Sequence, residues 1–385
     1  MARTTPHSDG ILFVSLELSK SKWVMTSSDG GAVSRREVID ASAWERFERV
    51  ILAAKKKFKL SESARVVSCY EVGRDGFWIA RKLAALGITN HVVDSASIEV
   101  NRRKRRVKND RVDGEALLRM LIRHERGEKN MWSIVRAPDE NAEDARRQTR
   151  ELERLKKERT GHRNRISSVL ALEGVTLKFG PGFEEELDHM RRWNGEALGE
   201  NLKQEVCREV ARLRQIEEQI KQIKTSQRQK LKVKTEQLGP KDAYLKHVKA
   251  LMRLRGLGES SWVLVVEFFG WRKFSSGKEV GSLSGLTGTP YSSGGINRDQ
   301  GISKAGNRRV RALMVELAWC WIRYQPHSKL AKWFEEKYGG GNSRSRRSGI
   351  VAVARKLLVE LWRYLETGEV PEGAESRVDE ELEAA

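Results

Sequence analysis

The chain has 385 residues, with 73 Lys and Arg against 53 Asp and Glu, so its net charge is +20 and its pI is near 9.9. This positive excess makes nucleic acid the first partner to consider, and the 39% hydrophobic content with eleven Trp excludes wholesale disorder. The three cysteines are far apart, and no apolar run approaches the roughly 18 residues of a membrane span, which argues against a disulfide framework, secretion and membrane insertion.

The first region, residues 1–130, alternates strand and helix patterns. Its strands are predicted at residues 11–18, 22–28, 32–39, 65–71 and 89–94, and its helices at 41–58 and 76–86. The order β-β-β-α-β-α-β is the ribonuclease-H-like plan, a mixed sheet with helices packed on it. In that plan the first and fourth strands are neighbours.

A dense basic run follows at residues 101–111, with the sequence NRRKRRVKNDR. Seven basic side chains around one acid repel each other unless an anion such as a phosphate backbone lies against them, although a solvated surface is the ordinary alternative. The next residues predict a helix that carries Asp110 and Asp113 at its start. The candidates for nucleic-acid binding in the run are Arg102, Arg103, Lys104, Arg105, Arg106 and Lys108.

Residues 140–235 predict a coiled-coil helical hairpin. A charged helical pattern covers residues 141–172, and a loop or linker with Gly and Pro follows it. The second helix has an apolar seam at steps of four and three, formed by Leu202, Val206, Val210, Leu213, Ile216, Ile220 and Ile223. Either a structural spacer or a dimerisation arm fits this pattern, and we expect dimerisation because the seam has no other evident partner.

Residues 245–365 predict a mainly helical domain. Its first feature, LRGLGESS at residues 254–261, is a helix-hairpin-helix-like turn, which can offer backbone N–H groups to a phosphate but is a weak signal alone. We expect a Gly- and Ser-rich loop over 285–306, a helix from about Asn307, a flexible basic linker over 339–349 and a last helix to Leu365. Residues 366–385 carry a net charge of −7, which leaves +27 on the rest and predicts an acidic disordered tail.

Four carboxylates of the first region could converge on one site. Glu17 lies on the first strand, Glu71 ends the fourth, and Asp110 and Asp113 are three residues apart on one helix face. Crowded carboxylates repel one another unless cations lie among them, and Mg²⁺ prefers such oxygen ligands. Two metal ions at these acids would serve a phosphodiester displacement, whereas the plain alternative is four surface acids.

These motifs resemble those of a known family, the DEDD-type insertion-sequence transposases (the IS-one-ten family), whose members are bridge-RNA-guided DNA recombinases. The resemblance covers most of the chain. It rests on FVSLELSK, CYEVGRDGFW and KNDRVDGEALL in the first region, and on LRGLGESS, LSGLTGTPYSSGG and GISKAGNRRVRAL in the third. The family usually has Asp at its first acid, where this chain has Glu17, one methylene longer.

The resemblance implies a RuvC-like domain, a coiled coil for dimerisation and a C-terminal domain whose serine attacks DNA. Ser293, directly before the glycine of PYSSG, fits the family pattern better than Ser292. The resemblance further implies a composite site, in which the acids of one subunit, with about two Mg²⁺ ions, face the serine of another subunit. The candidate phosphate contacts near the serine are Arg298, Lys304, Arg308 and Arg309.

The implied partners are a bridge RNA that guides the enzyme, donor and target DNA, and a second subunit, with a tetramer on DNA. We expect a cytoplasmic prokaryotic protein that associates with the nucleoid when active, and no membrane partner. Two other functions fit the residues alone. One is a metal-dependent Holliday-junction-type nuclease that uses water, and the other is a non-catalytic RNA- or DNA-binding protein. We assign no role to the histidines.

Overall fold

The structure is a computed structural model that describes residues 10–73, 76–98, 110–129, 131–180, 183–293 and 296–377. The chain divides into two compact units, residues 1–138 and residues 139–385. We expected separate domains at 140–235 and 245–365, but both stretches fall within the second unit. Each unit is described by itself below.

The first unit is built on a five-stranded sheet in the order β3-β2-β1-β4-β5. β1 pairs with β2 in antiparallel fashion and with β4 in parallel, so the predicted adjacency of the first and fourth strands is confirmed. The strands are β1 (Leu12–Leu18), β2 (Lys22–Ser28), β3 (Arg35–Asp40), β4 (Val66–Glu71) and β5 (Thr89–Val93).

Helices cover both faces of this sheet because its central strands bury side chains on both sides. On one face, α1 (Trp44–Lys57) and α2 (Trp78–Ala85) contribute to a core with Leu12, Val14 and Leu16. On the other, α3 (Asp110–Glu125) packs Leu117, Leu118 and Leu121 against Phe13, Val67 and Cys69. The expected mixed α/β class and element order are therefore confirmed.

The second unit begins with two long helices, α4 (Glu140–Ala171) and α6 (Glu200–Lys232), which pack along each other. The seam of α6 is buried within the same chain: Val206, Val210 and Leu213 contact Ile166 and Leu170 of α4. The predicted helical hairpin is therefore confirmed, and the reason we gave for dimerisation, that the seam has no other evident partner, was wrong because α4 is that partner. The connection, expected to be a loop, contains the short helix α5 (Phe183–His189).

A buried ion pair ties α4 to the helices that follow it. Glu267, only 2% exposed, lies in a π-helix at Val265–Phe269 and accepts two hydrogen bonds from Arg150 of α4, at 2.7 and 3.0 Å. Arg146 donates to the carbonyl oxygen of Val266 at 3.3 Å, and its guanidinium lies 4.3 Å from the Trp271 ring. These contacts explain why the coiled coil and the C-terminal helices form one unit.

The remaining helices surround a core that includes Phe268, Trp321 and Phe334. They are α7 (Leu245–Met252), α8 (Ser260–Leu264), α9 (Gly277–Leu283), α10 (Arg308–Tyr324), α11 (Lys329–Tyr338) and α12 (Ser343–Thr367), with short 3₁₀ turns at Thr235–Gln237 and Pro240–Asp242. A further 3₁₀ turn, Ser95–Ser97, follows β5 in the first unit. The helix expected from about Asn307 is α10, and Asn307 caps it: its side chain accepts from the N–H groups of Arg309 and Val310.

Three expectations for this unit need correction. Within the expected loop at 285–306, β6 (Gly288–Ser293) and β7 (Ile296–Ile302) form an antiparallel hairpin. The expected linker at 339–349 is helical from Ser343, because Asn342 accepts from the N–H of Ser345 and starts α12. The part of the expected disordered tail that the structure describes, residues 366–377, is ordered: Ser376 pairs with Leu254, and the backbone N–H of Lys329 donates to the Glu372 carbonyl oxygen.

Candidate active site

The parallel pairing of β1 and β4 brings two of the predicted acids together. Leu16 pairs with Tyr70, so Glu17 and Glu71 are the next residues on adjacent strands. Side chains alternate along a strand, and Ser15 and Cys69 both face α3. Glu17 and Glu71, two residues further on, therefore belong to the same face of the sheet.

The start of α3 lies unusually close to this face because residue 114 is a glycine. The Ser15 hydroxyl donates a hydrogen bond of 2.8 Å to the Gly114 carbonyl oxygen. A Cβ at residue 114 would lie 2.9 Å from Thr26 Oγ1 and 3.5 Å from Glu17 Oε1. Only a glycine allows this approach without a shift of the neighbours, and the approach brings the adjacent Asp113 to the acids of the sheet.

The three carboxylates line one cleft of about 530 Å³. Glu17, Glu71 and Asp113 are thus brought together as predicted, with Glu17 Oε1 shielded from solvent and the other two side chains exposed. Asp110 is the first residue of α3, but its side chain lies outside the described part of the structure. The remaining lining residues are Leu16, Leu18, Ser19, Lys20, Tyr70, Val72, Gly73, Gly76 and Leu117.

A buried thiol lies close to the acids of the cleft. Cys69 lies two residues before Glu71 on the same strand, and it is fully buried. Burial, and secondly the charge of Glu71, raise the pKa of the Cys69 thiol well above its ordinary value. The thiol therefore stays protonated and is a packing group, not a nucleophile.

Ser293 lies near the tip of the β6–β7 hairpin. It ends β6 and pairs with Ile296, and the residues between them, like the Ser293 and Arg298 side chains, lie outside the described part of the structure. Ser292 pairs with Asn297 and is exposed. Arg298 pairs with Tyr291, so its backbone belongs to the same end of the hairpin as the serines.

The other expected phosphate contacts lie toward the opposite end of the hairpin. Gly288 pairs with Ile302, about 16 Å along the strand from Ser293 at roughly 3.3 Å per residue. Lys304 follows the end of β7 with a left-handed φ of 56°, and Arg308 begins α10. Both are exposed, whereas Arg309 pairs with Glu153 of α4 at 2.7 Å. Within the chain, these three cations are therefore remote from Ser293.

Comparison with known proteins identifies the family. The chain is 38% identical over 391 residues to "Putative transposase y4rJ" of Sinorhizobium fredii (strain NBRC 101917 / NGR234), an alignment that covers 95% of this chain and 94% of the relative. Residues 248–332 match the family model described as "Transposase IS116/IS110/IS902 family". The chain belongs to this transposase family. Membership implies an enzyme of an insertion sequence that acts on DNA.

A second relative of the transposase, "Putative transposase y4qE" of the same strain, is 26% identical over 376 residues, or 91% of this chain and 87% of the relative. The matched family model begins in α7 and ends in α11, so it includes the serine hairpin and leaves out the acid cleft. The alignments with the two relatives cover 95% and 91% of this chain, so they extend over both regions. Among the helices in the described ranges of this transposase, none is long and apolar enough to cross a membrane.

Our reading of the transposase sequence missed one cluster of possible metal ligands. His91 of β5 and His124 and Glu125 of α3 place ligand atoms within 4.8 Å of one another. Glu125 contacts His91 at 3.0 Å and the Arg65 guanidinium at 3.2 Å, so part of its charge is already balanced. Only the packing of α3 on the sheet brings these residues together, and no spacing in the sequence indicated it.

The basic run at residues 101–109 lies outside the described part of the transposase. This includes Arg102, Arg103, Lys104, Arg105, Arg106 and Lys108. Their expected contact with nucleic acid stays a prediction. The described helix α3 begins immediately after the run, so the chain continues from it directly into the residues of the acid cleft.

Proposed function

We propose that this transposase cuts and rejoins DNA strands by serine chemistry, with Mg²⁺ at the acid cleft and a bridge RNA that selects the DNA. The observation that carries the proposal is the convergence of Glu17, Glu71 and Asp113 on one cleft, from two strands and a helix. Carboxylates that serve only solubility have no reason to converge, since their charges repel at short range.

The residues of the cleft suit a hard divalent cation. They offer carboxylate oxygens from three elements, and the Asp110 backbone begins the same helix as Asp113. In the proposal Glu17, Glu71, Asp110 and Asp113 hold two Mg²⁺ ions, which would stabilise the negative charge that develops on the phosphate. The acidic cleft also excludes a bare phosphate backbone, so metal binding and DNA binding are coupled.

The proposed role of Ser293 is nucleophilic. Its Oγ attacks the phosphorus of one DNA strand and loses its proton, a Ser–O–P bond forms, and the deoxyribose hydroxyl of the cleaved strand leaves with a proton. A hydroxyl of the exchanged strand then attacks the phosphoserine and restores the serine. The number of phosphoester bonds is conserved, so strand exchange needs no external energy source.

The RNA guide and the oligomer rest on the family resemblance and on charge. Residues 1–365 carry +27, which supplies phosphate affinity without a base-reading motif. We include in the proposal a dimer, a tetramer on DNA and a composite site of acids from one subunit and serine from another. Because the α6 seam is buried against α4, a dimer must use other surfaces of the chain.

A covalent adduct tests the proposal. Protein is incubated with labelled DNA, guide RNA and Mg²⁺, and a shifted band in denaturing electrophoresis is mapped to a peptide. We expect a phosphoserine at Ser293 that Ser293→Ala removes completely, whereas the matched variant Ser292→Ala retains adduct. Free DNA ends without an adduct would instead indicate the water-using nuclease, and recombination at the wild-type rate in Ser293→Ala would show that another group is the nucleophile.

A further inference from the structure

A second cleft, of about 650 Å³, lies at the helix-hairpin-helix-like turn of residues 254–261, which by sequence alone is a weak signal for phosphate binding. Residues 255–258 form one side and the end of α10 another, and Glu375 and Arg377 form a third. The last two belong to the segment 371–377, which we name the strap. Gly256 has a φ of 89°, and a Cβ there would lie 3.3 Å from the Cys320 carbonyl oxygen. The turn therefore packs tightly on α10, which fixes this side of the cleft.

The strap is anchored beside the turn by backbone hydrogen bonds. Ser376 pairs with Leu254, and the N–H of Arg255 donates to the Glu375 carbonyl oxygen at 3.3 Å. Gln325, which is fully buried, donates to the carbonyl oxygens of Arg255 and Glu375, and its Oε1 accepts from the Glu375 N–H at 2.7 Å. The walls of the cleft are thus held independently of its charged side chains.

The charged lining of the cleft is mainly cationic. It contains Arg255, Arg323 and Arg377 against the single carboxylate of Glu375. Glu375 contacts Arg255 at 2.7 Å, but the two side chains remain 42% and 48% exposed, so water screens the pair and another anion can replace the carboxylate. Tyr324 is 51% exposed, and the Arg323 guanidinium lies 5.5 Å from its ring centroid.

Guanidinium groups beside an exposed aromatic ring are a combination that suits a nucleic-acid strand. One arginine guanidinium can donate hydrogen bonds to two oxygens of a phosphate, and the face of an aromatic ring can stack on any base. We propose that this cleft binds the phosphodiester backbone of a nucleic-acid strand, in which Arg255, Arg323 and Arg377 contact phosphates, Tyr324 stacks on a base, and Glu375 competes for Arg255. The inference rests on the proposed function, since it names a contact through which the transposase holds its DNA or RNA.

Binding measurements on the full chain test the inference. Fluorescence anisotropy across a salt series would use labelled single-stranded DNA, duplex DNA and single-stranded RNA of equal length. We expect Arg255→Gln and Arg323→Gln each to weaken binding about 3- to 10-fold and to lower the salt slope by about one. Glu375→Gln should strengthen binding, because the competing carboxylate is lost. The nucleic acid that responds most identifies the occupant.

The chain offers a matched control. Arg363 and Glu360 form an exposed pair at 3.2 Å on α12, away from the cleft lining. Arg363→Gln and Glu360→Gln change the net charge as the test variants do, and we expect both to bind within about twofold of the wild type. Thermal melting checks that each variant folds. Arg323→Gln keeps the test decisive if Arg255→Gln does not fold, because Arg323 is not paired with the strap's carboxylate.

Two results would overturn the inference. The first is that the cleft variants bind nucleic acid as tightly as the Arg363→Gln control. The second is that the protein binds poly-glutamate more tightly than an oligonucleotide of equal charge, which would indicate an acidic protein partner. Failure of the proposed function looks different. If adduct forms at Ser293 but the cleft variants bind like the control, only this inference fails. If no adduct forms but the cleft variants lose affinity, only the proposed function fails.

Discussion

The acid cleft is built on a five-stranded sheet with buried residues on both faces, whereas Ser293 lies on a two-stranded hairpin whose described residues are exposed or half-buried. Carboxylates that share metal ions need fixed separations, and a central β-strand pair supplies them. In the proposed function Ser293 must reach a phosphate of the DNA, and a hairpin can adjust to its position. We therefore expect precision in the sheet of the first unit and adaptability in the β6–β7 hairpin.

Hydrogen exchange should give the largest difference between the two regions. β1 lies at the centre of its sheet, so its amides should exchange only when the first unit unfolds, and those of β6 and β7 should exchange at least about 1,000-fold faster. Exchange of backbone amides followed by mass spectrometry measures both. The amides of α12 are the control within the second unit and should be protected like β1. Equal protection of the hairpin would remove the contrast.

Removal of one carboxylate of the acid cleft should lower the strand-breaking activity without lowering the stability of the protein. We expect Asp113→Asn to lower Mg²⁺-dependent strand breakage by about 100-fold or more, because one metal ligand is lost. Its melting temperature should stay the same or rise slightly, since repulsion from Glu17 and Glu71 falls. Asp144→Asn, an exposed acid of α4, is the matched control and should retain activity. Normal breakage by the Asp113→Asn protein would exclude the cleft from the reaction.

The approach of α3 to the sheet can be tested through Gly114. Gly114→Ala should destabilise the protein by about 1 kcal/mol. Overpacking near Thr26 destabilises it by about 2 kcal/mol, and the higher helix propensity of Ala offsets about 1 kcal/mol of this. In a Thr26→Ala background, which removes the contacted hydroxyl, the same substitution should become neutral or stabilising. Chemical denaturation of the four proteins measures this coupling. Identical effects in both backgrounds would show that the Gly114–Thr26 contact is not limiting.

Glu267 is a carboxylate of the opposite kind, because it is buried and paired with Arg150. Burial favours its neutral form, but the hydrogen bonds and charges of Arg150, with the charge of Arg146, outweigh burial and lower the pKa of Glu267 below 4.5. Its contribution to stability is therefore complete above pH 4.5 and is lost as the pH falls through the lowered pKa. Melting of wild type and Glu267→Gln should differ most near neutral pH and converge in acid. A constant difference at all pH values would contradict this ion-pair role.

Much of the first unit could be predicted because its signals are local. Short strand patterns predicted the strands, and the ribonuclease-H-like order then made neighbours of the strands that carry Glu17 and Glu71. The role of Gly114 could not be predicted, since it depends on the distance between α3 and Thr26. The His91 cluster is similar, because its members come from two elements that are distant in sequence.

The second unit was harder to predict, because the composition of its segments does not indicate which contacts they make. Gly, Ser and Pro in β6 are typical of a loop, and the glycines and arginines of residues 339–349 are typical of a linker, although Asn342 caps α12 within that stretch. The apolar positions of α4 are scattered among charged residues, so the sequence left open whether the α6 seam packs on α4 or on a second chain. Acidic composition predicted disorder for residues 366–377, but backbone hydrogen bonds to Gln325 and Lys329 order that segment.

The buried amide of Gln325 has a practical consequence for protein engineering. Truncation after α12 would leave its Nε2 without the Glu375 carbonyl oxygen and its Oε1 without the Glu375 N–H. Each unsatisfied buried group costs about 1–3 kcal/mol. A shortened enzyme trimmed at residue 370 should therefore express poorly, and a reporter or purification tag belongs after residue 377, where the strap remains intact.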